Sequence, residues 1–266
     1  PLVASEEAAR ILVIDSSSTD ATLSIAKRYA PYVETMVIPK GEFGHGRTRE
    51  YARHRLGTPI CAMLTQDVVP NSPDLLSRLT APIREGLAAV SYARQIPRRE
   101  CSRVEQILRE TIYPQESHTR SLSDAACYGS YLFFCSNACA AYDQALLDEV
   151  GGFPDVQINE EAVIVAKLLR EGYSIAYVAE SEVIHSHDHS LYEMFRRQLA
   201  IGCVRRRYKE LLDCGECDER LGWRLIVEIG QKLGYSSPEL LPSAFIELLI
   251  KWLGYRIGRL KARIPI

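Results

Sequence analysis

The sequence predicts an α/β fold: a parallel sheet covered by helices, followed by a helical C-terminal extension. Three observations predict it. Short apolar runs alternate with helix-patterned segments between Ile11 and Tyr92, as in a sheet covered by its connecting helices. The first and third of these runs lead to aspartates, Asp15 and Asp67, at the strand ends where such sheets bind ligands. From Leu191 onward apolar residues recur at helical spacing.

Composition narrows the class. A chain of 266 residues can bury one large domain with a small appendage. Its 47% hydrophobic and 25% charged fractions are those of an ordinary soluble globular protein. A formal charge of −2 supplies no global basic field for nucleic acid, although the last third is locally basic. No apolar run reaches the ~18 residues of a membrane span, and no signal-peptide pattern is present. Cys61, Cys135 and Cys139 sit in apolar segments, where buried reduced thiols are expected, and the cytosol is the expected compartment. Cys214-Gly-Glu-Cys217 has half a zinc site's spacing, but no second pair follows, so it reads as a loop.

The elements follow in order. Residues 11–14 form a strand that stops at Asp15, and residues 21–30 form a helix with Thr19 or Asp20 as its cap. Residues 33–38 are a second strand, 41–46 a loop, and 48–56 a helix ended by Gly57. Residues 60–64 are a third, buried strand; a helix after Pro73 and a strand at 88–92 continue the alternation. A helix at 104–112 precedes a polar stretch, 114–125, expected to loop over the site. Residues 143–150 form a short helix closed by Gly151-Gly152, a helix runs from Asn159 to Gly172, and 175–178 and 183–184 read as separate strands.

Polar clusters punctuate this pattern. Asp15 and Asp67, on different strands, are expected to face one crevice and together point to a nucleotide or metal site; each alone reads equally well as a turn cap. Asn159-Glu160-Glu161 opens a helix whose next five residues are all apolar, so its first turn lies near the interior. The plainer reading is that these acids complement the helix dipole. The functional one is a general base, a desolvated carboxylate with a raised pKa. His185-Ser-His187-Asp188-His189 follows a strand, so alternation puts three imidazoles on one side. One of them can join Asp67 on a divalent cation, and carboxylate–imidazole ligation suits manganese better than calcium. A hydrogen-bonded polar loop is the equal alternative. Gly44-His-Gly-Arg47-Thr-Arg49 sets two guanidiniums beside flexible backbone, suited to phosphate or base contacts.

Taken in order, these motifs resemble a known family. Val13-Ile-Asp-Ser-Ser-Ser-Thr-Asp20 resembles the nucleotide-binding signature of family 2 glycosyltransferases, and Thr65-Gln-Asp67 falls at their D-x-D motif. Phe43-Gly-His-Gly-Arg-Thr-Arg49 and Ala93-Arg-Gln-Ile-Pro-Arg98 resemble the rhamnosyltransferase branch. Gly151-Gly-Phe-Pro154, Glu160-Glu161, His185-Ser-His187 and Lys251-Trp-Leu-Gly-Tyr-Arg256 continue in the family's order. The resemblance implies the Rossmann-like GT-A fold, a mixed sheet flanked by helices, over residues 1–190 and a helical extension over 191–266. The first strand of that fold is expected to be missing before Pro1.

The resemblance also implies roles. Asp15, Ser17, Arg47 and Asp67 would bind the nucleotide sugar. Asp67, with His185 or His187, would hold Mn2+ or Mg2+. Glu161 stands in the place of the catalytic Asp, preceded by Glu160. The implied activity is inverting transfer of a sugar, rhamnose from dTDP-rhamnose, to a hydroxyl of a surface-polysaccharide or lipid-linked glycan acceptor. Three positions depart from the pattern: Thr65 at the first place of D-x-D, Glu161 for Asp, and Glu50 where Asn is common after the arginine. They leave two alternatives, a nucleotide-sugar binder that has lost catalysis and a transferase using another nucleotide sugar. A phosphatase with Asp15 as nucleophile is disfavoured, because Ser17 stands where a second acid is needed. The segment from Phe245 to Arg256, with Arg259, Lys261 and Arg263 beyond it, mixes apolar and basic residues. It suits either an anionic membrane surface on the inner face of the plasma membrane or docking on the catalytic domain.

Overall fold

The structure is a computed structural model that describes residues 2–4, 9–187, 189–213 and 218–260. Asp188, Cys214, Cys217, Lys261 and Arg263 lie outside the described residues. The first half of the chain runs through β1 (Ile11–Asp15), α1 (Thr22–Lys27), β2 (Val33–Val37), α2 (His45–Leu56), β3 (Ile60–Leu64), β4 (Val69–Pro70), α3 (Leu75–Arg84), β5 (Val90–Ile96) and α4 (Arg103–Ile112). The second half contains β6 (His118–Arg120), α5 (Ala125–Tyr128), β7 (Cys139–Asp143), α6 (Gln144–Glu149), α7 (Glu160–Arg170) and β8 (Ile175–Ile184). The helices α8 (Leu191–Arg207), α9 (Lys209–Leu212), α10 (Asp218–Ser236) and α11 (Leu241–Leu260) follow.

The strands form two sheets. β1 and β2 pair in parallel, Ile11 opposite Val33. The larger sheet has the order β3-β7-β5-β8-β4, with β6 added to β8. β7 runs antiparallel to β3 and β5, β4 and β6 run antiparallel to β8, and β5 and β8 pair in parallel. The sheet is therefore mixed, as the family resemblance implies, and not the parallel sheet expected from alternation alone, because β7 returns between β3 and β5 and runs against both.

Its two faces are covered for a reason legible in the chain. α7 is apolar almost all round and buries Ile164, Val165, Leu168 and Leu169 against Tyr92, Phe133, Tyr142 and Tyr177. α3 covers the opposite face with Leu75, Leu79 and Ile83 on Ala93, Ala141 and Val183. Each such side chain taken from water contributes about 1.5–3 kcal/mol. Cys61, Cys135 and Cys139 are free and buried, as expected.

Several boundaries differ from expectation. The two strands expected at 175–178 and 183–184 are one, β8, which continues through Glu180-Ser-Glu182. The polar run coincides with a bulge in the pairing with β5, and the strand continues through it while the buried Ser181 donates its hydroxyl to Leu75 O at 3.1 Å. The 114–125 stretch contains β6, paired on β8 with His118 opposite Tyr177. α2 begins at His45, inside the expected loop. Gly46 lies in its first turn, where its N–H donates to Val156 O at 3.2 Å and a Cβ would overlap the Pro154 carbonyl. Glycine serves close approach there, not turn conformation.

In the C-terminal region α8 and α11 pack in parallel across glycines. Gly254 lies against Phe195 and Leu199, and Gly258 against Leu199, Gly202 and Cys203. The small-residue spacing lets the two backbones meet without intervening side chains.

Candidate active site

The pairing of β4 with β8 sets Val69 opposite Ile184. Asp67, two residues before Val69, and the chain after Ile184 therefore leave the sheet side by side. Asp67 Oδ2 lies 3.3 Å from His185 Nε2 and 3.4 Å from His187 Nδ1. One ligand atom from each of the three residues lies within 4.8 Å of the others. The rings of His185 and His187 meet edge to face at 4.4 Å, and His187 stacks on His189 at 4.6 Å. Alternation thus holds beyond the strand, as the sequence suggests.

His185 is buried, and its Nε2 has no hydrogen-bond partner. Burial, with the nearby Arg109 charge adding to it, pushes the His185 pKa down to about 4, so at neutral pH the ring carries a lone pair rather than a second proton. An orphaned buried nitrogen beside a carboxylate costs about 1–3 kcal/mol unless something satisfies both. A divalent cation does so, and two imidazoles with one carboxylate are a donor set for manganese, zinc or iron before calcium. The residues fit such an ion. Thr65, at the first place of the D-x-D, turns its N–H to Ala138 O at 3.2 Å, and Asp67 supplies the motif's carboxylate.

The two acids of α7 are divided by their surroundings. Asn159 enters the helix in the left-handed conformation, φ 63°, and Glu160 and Glu161 occupy the first turn. Glu160 is 2% exposed, ion-paired with Arg49 of α2, and accepts from Asn137 Nδ2 at 2.9 Å. Asn137 Oδ1 in turn accepts from the Tyr142 hydroxyl at 2.6 Å. Part of Glu161 reaches the surface, but burial of its carboxyl, seconded by the Glu160 charge, pushes its pKa up to about 8 against the partial pull of Arg49 and Arg197. One acid is an anchored ion-pair partner; its neighbour is a carboxyl poised to exchange a proton near neutral pH. Paired acids with environments this different are how proton-transfer roles are assigned.

The remaining expected residues have local partners of their own. Asp15, 4% exposed at the end of β1, accepts from Ser18 N at 2.8 Å. Ser17, at φ 60°, donates its hydroxyl to Ile38 O at 2.8 Å. Both shape the turn after β1, and β1 and β3 belong to different sheets, so strand pairing does not bring Asp15 and Asp67 together. Arg47 lines an open cleft of about 430 Å³ with Tyr51, Arg55, Phe153 and Asp155, while Arg49, two residues on, is the guanidinium that reaches the carboxylate pair. Glu50 ties α2 to the glycine turn, accepting from Arg53 Nε at 2.7 Å and from Phe153 N at 2.8 Å.

Sequence reasoning missed Asn137, the pairing role of Arg49, and Gln95 with Arg109 behind His185. The sequence offered little signal for Gln95, which follows Arg94 and reads as part of a polar strand end; its burial is decided by the pairing of β5 with β8.

A mixed sheet of this topology, covered on both faces and carrying an aspartate–histidine cluster at one strand end, is that of the GT-A glycosyltransferase class. The chain belongs to glycosyl transferase family 2, whose model matches residues 3–151. It is 30% identical over 260 residues to the O-antigen chain rhamnosyltransferase WbaN of Salmonella anatum, covering 97% of this chain and 82% of the relative. It is 29% identical, with the same coverage, to RfbN of Salmonella typhimurium, also an O-antigen chain rhamnosyltransferase. Among solved structures it is similar to Staphylococcus aureus TarS in complex with UDP-GlcNAc, with a TM-score of 0.55 at 15% identity over 97% of this chain and 84% of that one. It is also similar to the mannosyltransferase PcManGT of Pyrobaculum calidifontis in complex with GDP-Man and Mn2+, with a TM-score of 0.60 at 14% identity over 93% and 77%. The fold is that of these enzymes, and the chain is a glycosyltransferase.

Proposed function

We propose that this glycosyltransferase moves rhamnose from dTDP-rhamnose to a hydroxyl of a surface-polysaccharide or lipid-linked glycan acceptor, inverting the anomeric carbon. Donor and acceptor rest on the likeness to the two O-antigen chain rhamnosyltransferases. The observation that carries the mechanism is the division between the acids of α7. Glu160 is occupied by Arg49 and Asn137, whereas the raised pKa of Glu161 suits it to take the proton of an acceptor hydroxyl. The freed oxygen attacks the anomeric carbon in line, and the bond to the diphosphate oxygen breaks with its electron pair leaving on dTDP. Glu160 then acts by positioning Arg49, not by touching the acceptor.

Asp67, His185 and His187 would hold Mn2+ or Mg2+; PcManGT, of the same fold, is in complex with Mn2+. That site would supply positive charge to offset what develops on the leaving diphosphate. Asp15 and Ser17 would meet the nucleoside where the turn after β1 opens, and Arg47 would reach it from the start of α2. In this reading the enzyme works in the cytoplasm. No helix among the described residues is long and apolar enough to cross a membrane. α11 instead sets Leu241, Phe245, Leu249 and Trp252 outward at three- and four-residue spacing, with Arg256 over the Trp252 ring at 5.8 Å. That stripe suits peripheral contact with an anionic bilayer carrying a lipid-linked acceptor.

The test is a thermal-shift series with dTDP-rhamnose, UDP-glucose and GDP-mannose, with and without Mn2+, followed by transfer assays. A metal-dependent shift confined to the dTDP sugar is expected; a larger shift with another donor would overturn the rhamnose assignment. Thr65 and the longer Glu161 favour a second reading, a nucleotide-sugar binder without catalysis. Binding without transfer or donor hydrolysis, at any pH and with lipid-linked acceptors supplied, would select it.

A further inference from the structure

Gln95, on β5 and 2% exposed, stands directly behind His185. It is brought there by an irregular register between β5 and β8: Ala93 faces Val178, but Arg94 faces Glu182, so β8 bulges by three residues. Past the bulge, Gln95 aligns with Val183 and His185 N donates to Ile96 O at 2.9 Å. A regular ladder would leave Gln95 short of the histidine.

Three polar contacts meet on the Gln95 amide. Its Oε1 accepts from Arg109 Nη1 and faces His185 Nδ1 at 2.8 Å, and its Nε2 donates to Ser136 Oγ at 2.7 Å. A guanidinium only donates. The Gln95 atom against Arg109 is therefore the oxygen, which settles the amide's orientation on chemical grounds. Arg109 is itself held by Glu105, with Nε to Oε1 at 2.6 Å. Since the oxygen faces His185 too, Nδ1 must carry the ring proton, and the lone pair of the neutral imidazole falls on Nε2. That nitrogen has no hydrogen-bond partner and points at the Asp67 carboxylate 3.3 Å away.

We infer that Gln95 and Arg109 are positioning residues that lock His185 in the Nδ1–H tautomer and so present its Nε2 lone pair, beside Asp67, to a divalent cation. The inference rests on the reading that Asp67, His185 and His187 hold such an ion. It goes beyond that reading by assigning the residues that make the site ready before the ion arrives. A hydrogen-bonded partner behind a metal-binding histidine sets its ring orientation and basicity, and removing it lowers metal affinity about 10–100-fold.

The experiment joins two readouts on the full chain. Mn2+ affinity is measured by the EPR signal of free manganese, and the His185 tautomer by long-range 1H–15N NMR without metal. The variants are Gln95→Leu, which removes the acceptor, and Gln95→Glu, which restores one for both Arg109 and Nδ1. The expected result is an Nδ1–H tautomer in the wild type and in Gln95→Glu, with manganese affinities within a few-fold of each other. Gln95→Leu should admit the Nε2–H tautomer and bind Mn2+ about 10–100-fold more weakly. A general packing defect would not be rescued by the charged Glu. If Gln95→Leu fails to fold, Arg109→Leu, which frees the Gln95 amide to turn, carries the same expectation. Wild-type Mn2+ binding that survives Gln95→Leu with the tautomer unchanged would overturn the relay while leaving the metal site standing. A wild type that binds no Mn2+ would remove the metal reading itself, and an Nε2–H tautomer in the wild type would overturn the relay whatever the metal does.

Discussion

Glu160 and Glu161 are neighbours in one helical turn with the same side chain, and what separates them is where each carboxyl lands. Replacing Glu161 by Gln should lower transfer by about 10²–10⁴-fold while leaving donor binding intact, the signature of a lost general base. Its pH dependence has a definite sign. The base acts when deprotonated, so kcat/KM should rise with pH through a limb near pH 8, and that limb should vanish in Glu161→Gln. Stability runs the other way. The folded chain keeps a proton on Glu161 that the unfolded chain releases near the ordinary value of 4.5, so stability falls as pH rises from there to about 8. Glu161→Gln should therefore melt higher than the wild type at pH 8, and an unchanged Tm would argue against the buried carboxyl. Arg49→Met tests the partner acid: it strands a buried carboxylate and should destabilise by about 3–5 kcal/mol in denaturant titrations. The histidine cluster and the two acids were visible as residue types in the sequence. The pairing of Glu160 with Arg49, 111 residues away, was not, because nothing local in the chain signals that contact.

At the scale of elements, the apolar core of α7, the end of α2 at Gly57 and the buried strand β3 follow from patterns any window of sequence displays. Gly57, in the left-handed conformation, sends its N–H to Arg53 O at 3.0 Å and closes α2 where a glycine stop was expected. The misread elements are those whose identity depends on a neighbour. β6 is a strand because β8 offers it a ladder edge, and β8 carries on past the unpaired Glu180 because β5 pairs with it again from Glu182. α11 shows two faces. Gly254 and Gly258 lock it onto α8, while Phe245 and Trp252 stay 63% and 46% exposed. If the outer face meets an anionic bilayer, the chain should co-sediment with vesicles containing phosphatidylserine and be released by salt. Phe245→Glu with Trp252→Glu should lower that binding at least about tenfold without changing Tm, since neither side chain is buried. Equal binding to neutral vesicles, or none to either, would count against this face.

Across the whole molecule, the site is assembled from distant segments: Asp67 from the turn after β3, His185 and His187 from the end of β8, Arg49 from α2, and the acids from the start of α7. A ligand that bridges such segments stabilises the fold by mass action. A donor at a hundred times its Kd should add about 2.7 kcal/mol, or about 2–4 °C in Tm per kcal/mol for a chain of this size. If the proposed cation site holds the diphosphate through manganese, chelation should erase most of that shift. The same assembly separates the two arginines of the glycine-rich motif. Both arginines sit on α2, and only the docking of its first turn at Gly46 against Pro154 decides that Arg49 faces the acids while Arg47 lines the open cleft.

The sequence by itself determined the α/β class, the helical C-terminal region, the acids at strand ends and the alternating histidines, because each depends on periodicity or on neighbours a few positions apart. Tertiary structure alone decided the splitting of the strands into two sheets, the three-residue bulge that brings Gln95 to His185, and which of two adjacent glutamates is paired. Those outcomes hinge on contacts between residues far apart in the chain. Desolvation and charge pairing depend on what surrounds a group in space, and a linear sequence carries no measure of that distance.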